Sequence, residues 1–111
     1  MTQEARDVQL CKHIIKHSEG IDRTLAGHSK EAFLANHVIQ NAVLFDMLQI
    51  GENIIKLSDD FKDKYDDIEY HRIVGLRNII VHGYSDVNIE RIYEYVTKDV
   101  VKLKERIKEI I

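Results

Sequence analysis

The chain has 111 residues, of which 44% are hydrophobic and 32% charged, with five glycines, no proline and a formal net charge of −3. This length supports one domain, residues 1–111, with a single core, and leaves no room for a separate nucleotide-binding half. The acidic balance excludes a protein that coats nucleic acid by bulk electrostatics. Any contact with a polyanion is therefore expected to be local.

The single cysteine and the absence of a targeting signal bear on location. A lone Cys11 and no charged-then-apolar leader favour a reducing cytoplasm and exclude a disulfide framework. No apolar run approaches the length that crosses a membrane. The sequence therefore predicts a cytoplasmic protein without a membrane partner, with Cys11 as a core residue.

Apolar residues at steps of three and four predict two helices in the first half of the chain. The first runs from Gln3 to Leu25 and is ended by Gly27, and Ser29 can cap a long second helix, Lys30 to Leu57. Apolar residues cover more than one face of this second helix, namely Phe33, Leu34, Val38, Ile39, Ala42, Phe45, Leu48, Ile50, Ile54 and Ile55. It is therefore expected to be buried on two sides, the second against a neighbouring helix or a partner chain.

An acidic stretch, Ser58 to Glu69, separates this helix from the next and is typical of a solvated connection. The third helix is predicted from Ile68 to His82, with Gly83 as a left-handed residue at its end. Its expected buried set is Ile73, Val74, Leu76, Ile79, Ile80 and Val81.

Asn88 can cap a fourth helix, in which apolar residues repeat almost to the last residue of the chain. Its charged positions between Lys98 and Lys108 indicate an outer face with local ion pairs rather than a ridge that binds RNA. Four helices without strand-like alternation predict an all-α, up-and-down four-helix bundle.

A polar cluster at the end of the third helix carries the functional signal. The octet from Arg77 to Tyr84 places Arg77, Asn78 and His82 around apolar residues, where packing has no use for them. A guanidinium can bind two phosphate oxygens, and an imidazole can transfer protons near neutral pH. Asn78 could hold the ring or a substrate oxygen. With no acid between His71 and Tyr84, the pattern predicts a positive pocket that binds and cleaves an RNA phosphate without a metal or cofactor.

Helix geometry constrains this cluster. Five residues rotate the side-chain direction by about 140° beyond a full turn and rise about 7.5 Å, so Arg77 and His82 do not align on one straight helix. Either the helix loosens before Gly83 and Arg77 reaches around, or two copies face each other and share a cleft.

The octet and its setting resemble the HepT group of HEPN-domain toxins. The shared mark is Arg77, a polar residue at Asn78, His82 and then Tyr84. On the second helix, Ala42-Val43-Leu44 and Ile50-Gly51-Glu52 are similar to the corresponding family stretch. Where the family usually has Pro-Trp before the third helix, this chain has Glu69-Tyr70.

The resemblance implies an HEPN-like homodimer that acts as an endoribonuclease toxin, with two histidines available as acid and base. Its implied partner is a small nucleotidyltransferase antitoxin of the HepT/MntA, type VII, kind. That enzyme would add AMP to Tyr84, and the added anion would compete with RNA for Arg77 and His82.

Several other interpretations remain open. A second match to the two-residue spacing, Arg23 to His28, straddles Gly27 and is interpreted as coincidence. His13 and His17 are spaced for zinc but are more typical of solvated helix residues. Glu52 could support the site or lie on a surface or interface. The chain could also be a non-catalytic substrate-binding partner of a nucleotidyltransferase, or a purely structural helical dimer.

Overall fold

The computed structural model describes residues 1–83 and 86–111, and this part of the chain contains helices and no strand. Its six helices are α1 Gln3–Leu25, α2 Lys30–Ala35, α3 His37–Lys56, α4 Asp59–Lys64, α5 Tyr70–His82 and α6 Ile89–Ile110. The all-α class is confirmed, and it agrees with the HEPN-like fold. No helix within the described ranges is long and apolar enough to cross a membrane.

The four longer helices, α1, α3, α5 and α6, alternate in direction. Asp7 contacts Ser58 and His17 contacts Asp46, so α1 and α3 are antiparallel. Glu19 contacts Lys108 and Asp22 contacts Lys104, so α1 and α6 are antiparallel as well. Helix α5 is antiparallel to α6, because Arg72 reaches Asp99 while Asp67, before α5, reaches Arg106. The up-and-down order is therefore confirmed.

The prediction of one continuous helix from Lys30 to Leu57 is wrong, because the helix is interrupted at Asn36. This residue is extended, with φ −127° and ψ 106°, and its Oδ1 accepts the N–H groups of Val38 and Ile39 at 2.9 and 3.2 Å. An asparagine side chain competes with the backbone for such bonds and so favours a cap over a helix interior. Helices α2 and α3 are therefore separate elements.

The acidic connection is also more ordered than predicted. Ser58 caps the short helix α4 by accepting the Phe61 N–H at 3.1 Å, and Phe61 is buried. Asp7 on α1 in turn accepts the Ser58 N–H at 3.0 Å and its hydroxyl at 2.6 Å. The buried Phe61 and Ile68 and the long-range contact of Asp7 with Ser58 therefore bind this stretch to the bundle.

Apart from the break at Asn36, the helix ends differ from the predictions mainly at α5. Gly27 has φ +77°, the left-handed conformation expected of the residue that ends α1. Gly83 follows α5 but has φ −138°, so the left-handed end predicted there is wrong. Helix α5 begins at Tyr70 rather than Ile68, and Glu69 precedes it without a side-chain cap.

Helix α3 lies at the centre of the core, and its most extensive contacts are with α1 and α5. Burial on two sides is thus confirmed for this part of the predicted second helix.

Cys11 of α1 is fully buried. Burial raises the pKa of its thiol to about 11, and the charge of Asp7 contributes to this rise. The thiol therefore stays protonated and acts as a small core residue.

Several apolar side chains predicted to be inside lie outside. On α3, Val38 is 78% exposed and Phe45 is 57% exposed. On α5, Ile79 is 51% exposed and Val81 is 43% exposed, while Ile73 and Ile80 of the same predicted set are buried. One copy of the chain thus leaves apolar surface on α3 and on α5, the helix that carries the polar cluster.

Candidate active site at helices α3 and α5

Arg77 lies where α5 packs against α3. Ile73 and Ile80, one turn before and after it, are buried, and the Arg77 side chain itself is only 23% exposed. Gly51 faces it from α3, and a Cβ added there would lie 2.5 Å from the Arg77 Cβ. Only glycine therefore permits this close approach of the two helices.

The Arg77 guanidinium is held by two side chains. Its Nε and Nη2 both approach Glu52 Oε1, at 2.7 and 2.6 Å, and its Nη1 donates to Asn78 Oδ1 at 2.9 Å. Asn78 thus supports the guanidinium, in place of the ring or substrate contact expected from the sequence. Glu52, for which a surface role was equally open, contacts the arginine directly.

This arrangement uses only part of Arg77's hydrogen-bonding capacity. A guanidinium carries five N–H donors, and three are used by contacts within the described residues. One donor remains on each terminal nitrogen. Two donors on a planar group match the spacing of two phosphate oxygens.

His82 is the last residue of α5 and is exposed. The helix stays regular to this point, since the Gly83 N–H donates to Ile79 O at 2.8 Å in the i to i−4 pattern. Of the two alternatives left open by the sequence, a helix that loosens before Gly83 is therefore wrong. Five regular helical residues point His82 and Arg77 in different directions, so one copy joins Arg77 to Asn78 but not to His82.

The positive pocket predicted for this region is largely neutralised. Arg77 is paired with Glu52, and Arg72 lies 3.3 Å from Asp99 and 3.5 Å from Glu69. The carboxylates come from other segments, which is why a stretch without acids in sequence is not free of them in space. Within the described residues, Arg77 keeps two N–H donors that no contact uses.

Two other sequence predictions concern Tyr84 and His17. Tyr84, the predicted site of AMP addition, lies outside the described residues. His17 is not a solvated histidine, because its Nδ1 lies 2.8 Å from Asp46 Oδ1 and its side chain is only 18% exposed. Across residues 1–83 and 86–111, no cluster of three or more His, Cys, Asp or Glu side chains is placed to hold a metal ion.

Comparison with known proteins places the chain in a family. The family described as "Ribonuclease HepT-like" matches residues 14–110. "Putative RNase TTE0752" of Caldanaerobacter subterraneus subsp. tengcongensis is 29% identical over 100 residues, covering 90% of this chain and 89% of that protein. "Probable ribonuclease HepT" of Thermococcus cleftensis is 26% identical over 80 residues, covering 72% and 73%. No solved structure matches the chain. The chain belongs to the HepT-like ribonuclease family.

Proposed function

We propose that the protein is a metal-independent endoribonuclease of the cytoplasm, acting as the toxin of a HepT/MntA-type, type VII toxin–antitoxin system. The family assignment supports ribonuclease chemistry. The observation that carries the proposal is the Arg77 guanidinium, braced by Glu52 and Asn78 with two donors left over, five residues before an exposed His82.

RNA cleavage by this route needs a base, an acid and a positive charge beside the phosphate. A base removes the proton of an RNA 2′-hydroxyl, and the resulting oxygen attacks the adjacent phosphorus. An acid protonates the 5′-oxygen as its bond to phosphorus breaks, leaving a 2′,3′-cyclic phosphate and a 5′-hydroxyl. His82 supplies the proton transfers, and Arg77 stabilises the negative charge that develops on the non-bridging oxygens.

The site is proposed to be shared between two copies of the chain. Because α5 is regular through His82, one copy does not direct both groups at one phosphate. The exposed Phe45 of α3 and Val81 of α5 offer apolar surface for association. A two-fold dimer would bring two arginines and two histidines to one cleft, with one histidine as base and the other as acid.

The regulatory partner is proposed to be a nucleotidyltransferase antitoxin that adds AMP to Tyr84. Tyr84 is two residues beyond His82 in the sequence. A bulky anion attached there would compete with the RNA phosphate for the same cation. Modification would therefore lower cleavage, and its removal would restore it.

The test uses purified protein and a labelled single-stranded RNA, both freed of metal with EDTA. The expected result is cleavage, with products that end in a 2′,3′-cyclic phosphate and a 5′-hydroxyl. Cleavage that requires added Mg²⁺, or products with 5′-phosphates, would contradict the mechanism. Intact RNA together with stoichiometric binding of the transferase would favour the non-catalytic partner instead.

A second arm of the same experiment addresses Tyr84. The chain is first incubated with the cognate transferase, ATP and Mg²⁺, then freed of metal and assayed. The wild-type chain should gain the mass of AMP and lose cleavage, while Tyr84→Phe should do neither. Modification of the Tyr84→Phe variant would show that the acceptor is a different residue.

A further inference from the structure

A long groove lies between α5 and α6, on a face of α5 different from the one that packs on α3. Its upper part is a cavity of about 960 Å³ with an apolar floor of Leu76, Ile79 and Ile92. A second depression of about 380 Å³ adjoins it at Arg72, Tyr95 and Asp99, where the Arg72 guanidinium joins α5 to α6. From Asn88 to Arg106 the two extend about 27 Å along α6, at 1.5 Å per residue.

The upper end of the groove adjoins the candidate active site. Gly75 and Ile79 line the groove on α5. His82 lies seven residues after Gly75 and three after Ile79, spacings that place all three on one helix face. A ligand in the groove would therefore extend toward the His82 imidazole.

The cations along the groove fall into two groups, those held in ion pairs and those without one. Arg72 is engaged by Asp99 and Glu69, and Arg106 is engaged by Asp67 at 2.7 Å. Three further cations line the groove, Arg91, Lys98 and Lys102, and none of them has an ion pair within the described ranges.

The local ion pairs expected between Lys98 and Lys108 are not found: Lys104, Arg106 and Lys108 pair with Asp22, Asp67 and Glu19 on other segments. Lys98 and Lys102 have no ion pair within the described residues, and with Arg91 these free cations form a row on α6. They lie at positions i, i+7 and i+11, along one face of the helix and over about 16 Å. Two carboxylates without an ion pair in the same part of the structure, Asp86 and Glu94, also line the upper cavity. Among the groove residues without an ion pair, cations thus outnumber carboxylates. When the paired residues are counted as well, the positive and negative charges of the lining are equal in number.

We infer that this groove binds the single-stranded RNA that flanks the scissile phosphate, an inference that rests on the proposed ribonuclease function. A row of cations beside an apolar floor suits a strand whose phosphates follow the row while its bases contact the floor. An RNA duplex keeps its bases stacked inside and offers no such contact. The groove therefore selects unpaired RNA and leads it to His82.

Gly75 provides a test that does not depend on charge. A Cβ added at Gly75 would meet nothing within 4 Å, so a side chain can begin there without a clash, at a position that lines the groove. Gly75→Phe should obstruct the groove, and Gly75→Ala is its matched control. Their folding is compared by circular dichroism.

The second pair of variants changes the charge by equal amounts at two places. Lys98→Glu/Lys102→Glu reverses two free cations of the groove. Lys12→Glu/Lys16→Glu reverses two exposed lysines of α1 that are also unpaired within the described part of the chain. Both double variants alter the net charge equally, so a difference between them reports position.

Binding is measured by fluorescence anisotropy with a labelled, unstructured 12-nucleotide RNA and protein carrying His82→Ala, which prevents cleavage. Lys98→Glu/Lys102→Glu is expected to weaken binding at least tenfold and to reduce the salt dependence by about 1.4 in the log–log slope. Gly75→Phe should also weaken binding at least tenfold. Gly75→Ala, which adds one methyl group, should weaken binding much less than Gly75→Phe, and Lys12→Glu/Lys16→Glu should stay within about twofold of the parent.

The outcomes separate this inference from the proposed function. Equal binding by the groove variants and their controls, or no RNA binding by the parent, would overturn the inference even if the wild-type chain cleaves RNA. If binding depends on the groove but the wild-type chain does not cleave RNA, the proposed ribonuclease function is overturned and RNA binding by the groove still holds. Groove variants that keep RNA but lose the cognate transferase would make the groove a protein-docking surface, which also overturns the inference.

Discussion

Alanine at either Arg77 or His82 is expected to reduce RNA cleavage strongly while leaving the fold in place. Loss of a positioned acid or base costs about 10²- to 10⁴-fold in rate, and loss of a preorganised charge costs about 10²- to 10³-fold. His82 is exposed, so its removal costs little packing. Arg77→Lys is the informative second variant, because it keeps the charge of Arg77 but loses the fork that meets both Glu52 and a phosphate.

The chain contains its own control for this experiment. Arg23 and His28 repeat the Arg-to-His spacing at the end of α1, where both are exposed. Arg23→Ala and His28→Ala should cleave at the wild-type rate in single-turnover assays. Comparable losses from both pairs, or wild-type rates from Arg77→Ala and His82→Ala, would show that the cluster on α5 is not the active site.

Gly51→Ala is expected to have the largest effect of any single added methyl group near the site. The new Cβ would lie 2.5 Å from the Cβ and 2.8 Å from the Cγ of Arg77, atoms close to the backbone of α5. They cannot move aside as the tip of a flexible side chain can, so α5 must shift away from α3. Overpacking of this kind costs about 1–3 kcal/mol of unfolding free energy, and the shift also displaces the Arg77 guanidinium from Glu52.

The matched control for Gly51→Ala is Gly75→Ala on α5. An alanine at Gly75 meets no atom within 4 Å and replaces a glycine inside a helix, which should stabilise the protein by roughly 0.5–1 kcal/mol. Urea unfolding measures both variants, and the RNA cleavage rate is measured on the same samples. Unchanged stability and cleavage in Gly51→Ala would mean that the contact between α3 and α5 is not as close as described.

The parts of the fold that follow from local signals could be predicted. Helix α1 has the predicted bounds, and α6 begins after Asn88, whose side chain accepts the Arg91 N–H at 3.1 Å. These features depend on apolar spacing and on single capping residues, which can be read directly along the chain. Asn36 was a local signal too, but the apolar residues on both sides of it masked the break.

The site depended on contacts between distant parts of the chain and could be predicted only in part. The cluster of Arg77, Asn78 and His82 stood out because packing gives no reason for it. The pairing of Arg77 with Glu52 spans 25 residues, and the neutralisation of Arg72 by Asp99 spans more, so neither follows from spacing along the sequence. The exposed Phe45 follows a helical pattern that does not distinguish a core from an interface between copies.

The central claim, that one cleft uses the His82 side chains of two copies, is tested most directly by mixing wild-type and His82→Ala chains. The chains are unfolded together in varying proportions and refolded so that dimers form at random. If each cleft needs both histidines, activity per total chain follows the square of the wild-type fraction and falls to about one quarter in an equal mixture. A linear decline, to about one half in the equal mixture, would show that each copy cleaves RNA with its own histidine and would contradict the shared site.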